Sequence, residues 1–396
     1  MEYVILDNNI KSTKMKILRL ICRLLVGAVF MFSGFIKGVD PLGSTYKFKE
    51  YFEALGMEWL APYAFAFSVI MIGAEFLVGF CLFFGFKLRL STWGALLLML
   101  FFLPLTLWLA ISNKVSDCGC FGDAIKLTNW ETFYKNVIIM IPTLVLFIQQ
   151  KRFKPFLSCG KQWIFAGVGA FIIAGIMWCS YAHLPIIDFL PYKVGTNLAD
   201  KMKVPANMPK DVYEQFIIVK DTITNKNIEI TVDTYSNDST YWGTGTKYKY
   251  VSISEPKLVK KGYESQIHDL TINTENGENI LDSVLAIEDY TFILVSTKLK
   301  KANTSNIKEI NDLASWAVSE NLMFIGLTSS LQEEINTFIT STKSTYLFYT
   351  CDEITLKTMI RANPGLIVFK KGIIVAKYHS NDIPSPEKFE KDFLTK

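Results

Sequence analysis

The chain has 396 residues, half of them hydrophobic, a formal net charge of +4 and a mean hydropathy of +0.26. No dense basic stripe accompanies that small charge, which argues against nucleic acid as a partner. The averages conceal an abrupt change of character. Up to about Tyr181 the chain is dominated by Leu, Ile, Phe, Val and Gly; beyond about Gly195 it is rich in Lys, Asp, Glu, Thr and Asn. A membrane half followed by a water-soluble half has this composition.

A hydrocarbon core of about 30 Å requires roughly 20 apolar residues per helix. Five segments qualify: Ile17 to Ile36, Leu60 to Phe84, Leu88 to Ile111, Thr132 to Ile148, and Trp163 to Ala182. Lys11, Lys14, Lys16, Arg19 and Arg23 have the form of a signal peptide's charged start. However, the run ends in Phe32-Ser33-Gly34-Phe35-Ile36-Lys37 without a small-x-small cleavage site, and further spans follow. The first segment is therefore read as a retained helix. Pro104 and Pro142 inside two spans are read as packing kinks.

Loop charges set the direction. The N-terminal basic cluster, the Lys87/Arg89 turn and the Lys151-Arg152-Phe153-Lys154 loop with Lys161 share one side. The other side carries Asp40, Glu50, Glu53, Glu58, Asp117, Asp123 and Glu131. Positive-inside places the N-terminus in the cytoplasm, and five spans deliver the chain after His183 to the outside. Between the first two spans, Tyr46 to Leu60 has the pattern of a short interfacial helix. Thr128-Asn129-Trp130-Glu131 has capping-box spacing at the start of the fourth span.

Of seven cysteines, one pair is close in sequence: Cys118 and Cys120, in Asp117-Cys118-Gly119-Cys120-Phe121-Gly122-Asp123 between spans three and four. The orientation puts this loop outside, where disulfides persist. Gly119 gives the backbone freedom to close the small ring. Strained, exposed disulfides are the exchanging kind. A redox pair is one reading; a structural disulfide or two unlinked thiols is the other. The flanking Asp117 and Asp123 weigh against reactivity, because nearby carboxylates raise a thiol's pKa. No metal site is expected, since His183, His268 and His379 all come late for zinc at this loop. Cys22, Cys81 and Cys179 read as packing residues, Cys159 falls in a cytoplasmic loop, and Cys351 ends a strand-like run.

Glu75 stands inside the second span, in Gly73-Ala74-Glu75-Phe76-Leu77-Val78-Gly79. An intramembrane carboxylate is costly when ionised, so it faces the bundle or a cavity and is a candidate functional residue. The alternative is a glutamate that orients helices, paired with Ser33 or Lys37. A transporter has little support: one buried acid and no evident internal repeat.

In the soluble half, Phe216 to Val219 and Asn227 to Val232 flank the turn-like Thr224-Asn225-Lys226 and read as a hairpin. Strands are then expected at Thr291–Ser296, Met323–Leu327, Tyr346–Tyr349 and on either side of Lys370-Lys371-Gly372. Helices are expected at Asn306–Ser319, Leu331–Ile339, Glu353–Ile360 and from Pro386. That alternation implies an α/β sheet with a closing antiparallel hairpin. The expected organisation is a transmembrane bundle (1–185), a linker (186–204), a small β-rich extension (205–265) and an α/β domain (266–396).

The α/β order resembles the thioredoxin fold, in particular its membrane-tethered TlpA-like and peroxiredoxin-like branch. His268-Asp269-Leu270-Thr271-Ile272 is similar to the branch's opening strand. Asn363-Pro364-Gly365-Leu366-Ile367-Val368-Phe369 is similar to the segment bearing its cis-proline. Where such proteins carry Cys-x-x-Cys, this chain reads Thr297-Lys298-Leu299-Lys300-Lys301-Ala302-Asn303. The resemblance therefore implies a binding or docking module without dithiol chemistry of its own.

The membrane half resembles the DoxX-like and MauE-like family through Phe32-Ser33-Gly34-Phe35-Ile36-Lys37-Gly38, the Glu75 segment and Cys118-Gly119-Cys120-Phe121-Gly122. The resemblance implies either extracytoplasmic thiol–disulfide maturation or quinone-linked oxidation of sulfur compounds. It implies a multi-pass protein of the bacterial inner membrane with a periplasmic C-terminal domain. The lipid bilayer and an extracytoplasmic thiol protein are then the expected partners, and quinone the candidate cofactor. The expected roles are Cys118 and Cys120 as a redox pair and Glu75 as a proton relay or cavity wall. A non-catalytic scaffold or accessory subunit of an envelope complex is the competing expectation.

Overall fold

A computed structural model describes residues 2–115, 117–153, 157–203, 205, 207–209, 212–260, 262–263, 265 and 267–395, with side chains from residue 13 onward except at 260. The basic loop read at 151–154 is described to Phe153, and Lys154 lies outside the described residues. The chain divides into two compact units, Met1–Thr196 with Leu270–Lys396, and Asn197–Asp269.

The first unit begins with α1 (Glu2–Val39), α2 (Pro41–Ala54), α3 (Ala64–Phe84), α4 (Leu88–Ser112), α5 (Asn129–Ile148) and α6 (Cys159–Ala182). All but α2 contribute a span long and apolar enough to cross a membrane, as the five hydrophobic segments imply. Ile70, Leu97, Ile138 and Phe171 are exposed on these helices, as lipid-facing side chains are. Pro104 and Pro142 lie inside α4 and α5. The capping box at α5 forms as read, with Thr128 and Glu131 bonding reciprocally. The short helix after α1 starts earlier than the expected Tyr46. Asp40 caps it, accepting from the Gly43 N–H at 2.8 Å, and Pro41 occupies the first turn.

α1 and α3 approach until their backbones touch. A Cβ added at Gly34 would lie 2.6 Å from the Phe76 nitrogen, and one added at Gly79 would lie 2.1 Å from the Met31 nitrogen. Small residues permit this approach where lipid supplies no hydrophobic force between helices. Beside the contact, Val26, Phe30, Leu82, Met99 and Ile139 form one buried cluster of α1, α3, α4 and α5.

In the second unit lie α7 (Leu198–Met202), β1 (Val212–Glu214), β2 (Phe216–Asp221), β3 (Asn227–Thr231), α8 (Val232–Asn237), β4 (Tyr248–Ile253) and β5 (Lys257–Lys260). β2 is the middle strand of an antiparallel sheet with β3 and β4, and β1 pairs with β5. The expected hairpin is β2–β3, with Asn225 left-handed in its turn. Ile217, Val219 and Ile230 form its small core.

The first unit resumes with α9 (Leu281–Leu285), β6 (Tyr290–Ser296), α10 (Ile307–Ser319), β7 (Met323–Thr328), α11 (Gln332–Thr342), β8 (Phe348–Thr350), α12 (Glu353–Met359), β9 (Gly365–Lys370), β10 (Ile373–His379) and α13 (Pro386–Phe389). These build the expected mixed α/β sheet, in the order β10-β9-β6-β7-β8. β6, β7 and β8 are parallel, and β9 and β10 form the closing antiparallel hairpin. β6 is buried along its whole length, in keeping with its continuous apolar stretch from Phe292 to Val295. Phe292, Leu294, Leu313, Phe324, Val368 and Phe389 are among its core residues. Residues 268–272 form no strand; pairing falls to Asn273, through isolated bridges to Asn279 and Thr350. The Asn363–Pro364 peptide is cis, at the start of β9.

Gly79→Val inserts side-chain atoms into the α1–α3 contact and is expected to cost about 1–3 kcal/mol, or more. A thermal melt in detergent should show a lowered transition. Gly73→Ala, whose added Cβ meets nothing within 4 Å, should not lower it.

Candidate functional site

Lys37 occupies the last turn of α1 and Glu75 the middle of α3. Their close packing sets Lys37 Nζ 2.7 Å from Glu75 Oε2, with the two side chains 10% and 3% exposed. Ser33, one helical turn before Lys37, shares that face. Its hydroxyl donates to the Cys120 carbonyl at 2.7 Å and lies 3.5 Å from Glu75 Oε1. Both partners that the sequence offered Glu75 are therefore in place.

Ser33 also fixes the depth of the thiol loop. The loop packs at the level of the middle of α3, and the pair is less open than an exposed loop would make it. Cys118 is 7% exposed and Cys120 half-buried. Gly119 and Gly122 take φ of +59° and +52°, left-handed values that favour glycine. The turn closes with the Gly122 N–H donating to the Gly119 carbonyl at 3.0 Å. Asp117 accepts from the Gly119 N–H at 2.9 Å, and the Tyr51 hydroxyl donates to the Cys118 carbonyl.

The two sulfurs stand 3.0 Å apart, both free thiols, beyond the roughly 2.05 Å of a covalent bond. The Cys120 pKa is drawn down to about 6, first by the hydrogen bond from the Cys118 thiol. Burial opposes this, and the charges of Lys135 and Lys37 add to it. Cys118 moves well above the ordinary thiol value, raised by the same hydrogen bond and by burial. The contact between the sulfurs thus favours the charged form of Cys120 and the neutral form of Cys118.

The carboxylates that weighed against reactivity are occupied by cations. Lys47 lies 3.2 Å from Asp117, and Arg361 lies 3.1 Å from Asp123. Sequence reasoning missed Tyr51, Lys135 and Arg361. Lys135 had a visible signal, a lysine inside the fourth apolar segment, near the ring of Phe121 at 4.3 Å. Cys351 is buried after β8, beside Thr271 and Asp352, and takes no part here. Among the described residues no group of three or more His, Cys, Asp or Glu side chains is placed to hold a metal. An apolar slot walled by Phe48, Met71, Phe101 and Phe102 opens beside the thiols, with Lys37 at its edge.

Residues 15–149 match the family described as methylamine utilisation protein MauE, a stretch that contains both thiols and Glu75. No curated protein matches the chain. Among solved structures, the chain is similar to the solution structure of a "putative protein disulfide isomerase" from Bacteroides thetaiotaomicron, at 16% identity and a TM-score of 0.25. That similarity covers 31% of this chain and 80% of the other.

The lowered Cys120 pKa sets a pH dependence. Alkylation of Cys120 by iodoacetamide is expected to rise through a midpoint of about 6 and to level off above it. Cys118→Ala removes the donor, and the midpoint should move up toward the ordinary thiol range. Peptide mass spectrometry across pH 4 to about 9 reads both profiles.

Proposed function

We propose that this is a membrane thiol–disulfide exchange protein whose working groups are Cys118 and Cys120. The observation that carries the reading is the sulfur pair at 3.0 Å, a contact that draws the Cys120 pKa down to about 6. The family match over the same residues supports it.

In this reading the Cys120 thiolate attacks one sulfur of a partner protein's disulfide. The partner's S–S bond breaks, a mixed disulfide forms, and the partner's second sulfur leaves with the electron pair. That sulfur takes the Cys118 proton, and the Cys118 thiolate then attacks Cys120. The mixed disulfide opens and the partner departs as a thiol and a thiolate. Two electrons have moved from the pair to the partner, leaving a Cys118–Cys120 disulfide; the reverse sequence oxidises the partner. Lys37 holds positive charge near the thiolate, and Glu75 holds Lys37 in place. The apolar slot beside the pair has a volume of about 40 Å³, too small as it stands for a quinone ring, and no step is routed through one.

The distribution of Lys and Arg favours a bundle whose thiol end faces away from the cytoplasm, which the family resemblance makes the periplasmic side of a bacterial inner membrane. The region from about residue 266 is then a periplasmic thioredoxin-like domain. Its sheet order and the cis proline beside β9 support that assignment, and the cysteine-free 297–303 leaves it a binding role. A second reading, a scaffold with an inert thiol pair, draws on the burial of Cys118.

Cys118→Ser removes the resolving thiol and keeps the nucleophile. It is expected to accumulate a reducible mixed disulfide through Cys120, visible as a mass-shifted species on a non-reducing gel. Cys120→Ser should give none. Equal yields from the two variants, or none from either, would contradict exchange and favour the scaffold.

A further inference from the structure

The turn bearing Cys120 is pinned from three directions. Tyr51 of α2 holds the Cys118 carbonyl and Ser33 of α1 holds that of Cys120. The third pin comes from the α/β region. Arg361, which follows α12 and precedes the cis proline, has a side chain 6% exposed. Its Nε lies 2.8 Å from Asp40 Oδ2 and its Nη2 3.1 Å from Asp123 Oδ2. Its Nη1 donates to the Lys357 carbonyl, and the guanidinium lies over the Tyr46 ring at 5.5 Å. Asp40 caps α2, and Asp123 comes three residues after Cys120. A planar guanidinium bridging two carboxylates does what a lysine's point charge cannot.

We propose that Arg361 is a positioning residue of the thiol site: it ties the turn carrying Cys120 to the α/β region and neutralises Asp123. The α/β region, with no dithiol in 297–303, thereby supplies a fixed part of the bundle's site. This rests on the reading of Cys118 and Cys120 as the working pair. Without Arg361, Asp123 keeps the nearby negative charges of Asp40 and Asp117, with Lys126 opposing them. That unbalanced charge adds to Glu75 against the Cys120 thiolate, which Lys135 and Lys37 support.

The test measures the pH profile of Cys120 alkylation by iodoacetamide in the full-length protein in detergent. Arg361→Met is expected to raise the midpoint by on the order of half a pH unit or more. Arg361→Lys should raise it less, and Arg361→Met with Asp123→Asn should bring it back toward the parent value. A folded, monodisperse Arg361→Met protein with an unchanged midpoint overturns the proposal. Should that variant not be recovered folded, Arg361→Gln, which keeps hydrogen-bond donors and removes the charge, carries the same two outcomes. The readout requires only a nucleophilic thiol. Loss of mixed-disulfide formation with the Arg361 shift intact would sink the exchange function alone, and the converse would sink the role of Arg361 alone.

Discussion

Lys37 and Glu75 face one another at 2.7 Å between two helices whose glycines let the backbones touch. The stacked small residues and the ion pair depend on each other. A carboxylate in the middle of α3 is costly in lipid unless a cation lies within reach. A lysine in the last turn of α1 reaches it only because Gly34 and Gly79 admit the close approach. The same face of α1 presents Ser33, which seats the Cys120 carbonyl and sets the depth of the thiol loop. Displacing the pair would therefore disturb the loop as well as the helix packing.

The chemistry of the thiols follows from that seating. Two sulfurs separated by one residue are held in contact by a left-handed glycine, and that contact together with nearby lysines favours the charged form of Cys120. Asp117 and Asp123 would by themselves favour the neutral form. Each is met by a cation from elsewhere in the fold, Lys47 on α2 and Arg361 in the α/β region. The site is thus assembled from the bundle and the α/β region together, although both thiols belong to the bundle.

Much of this was legible in the residues. Five apolar runs of membrane length, the capping box at Thr128 and the α/β alternation after Thr291 are local signals, and each became the element it implied. Cys118, Cys120 and Glu75 stood out by residue type and spacing, and Ser33 and Lys37 as partners by their place on a facing helix. The burial of the pair was not legible, because the depth of a loop depends on the register of helices far away in sequence. Arg361 was not legible for the same reason: its carboxylate partners lie 321 and 238 residues distant. The strand expected at 268–272 failed because its pairing passes through a single residue, Asn273, and not through a run.

The central claim is that Cys118 and Cys120 cycle between dithiol and disulfide. The most direct test is their redox state in living cells. Cells would be quenched in acid, denatured, and alkylated before and after reduction, with the 118–120 peptide read by mass spectrometry. The account predicts a mixed population that shifts toward dithiol when a small thiol is added to the medium and returns when it is removed. A pair that stays wholly oxidised or wholly reduced through both treatments would contradict it.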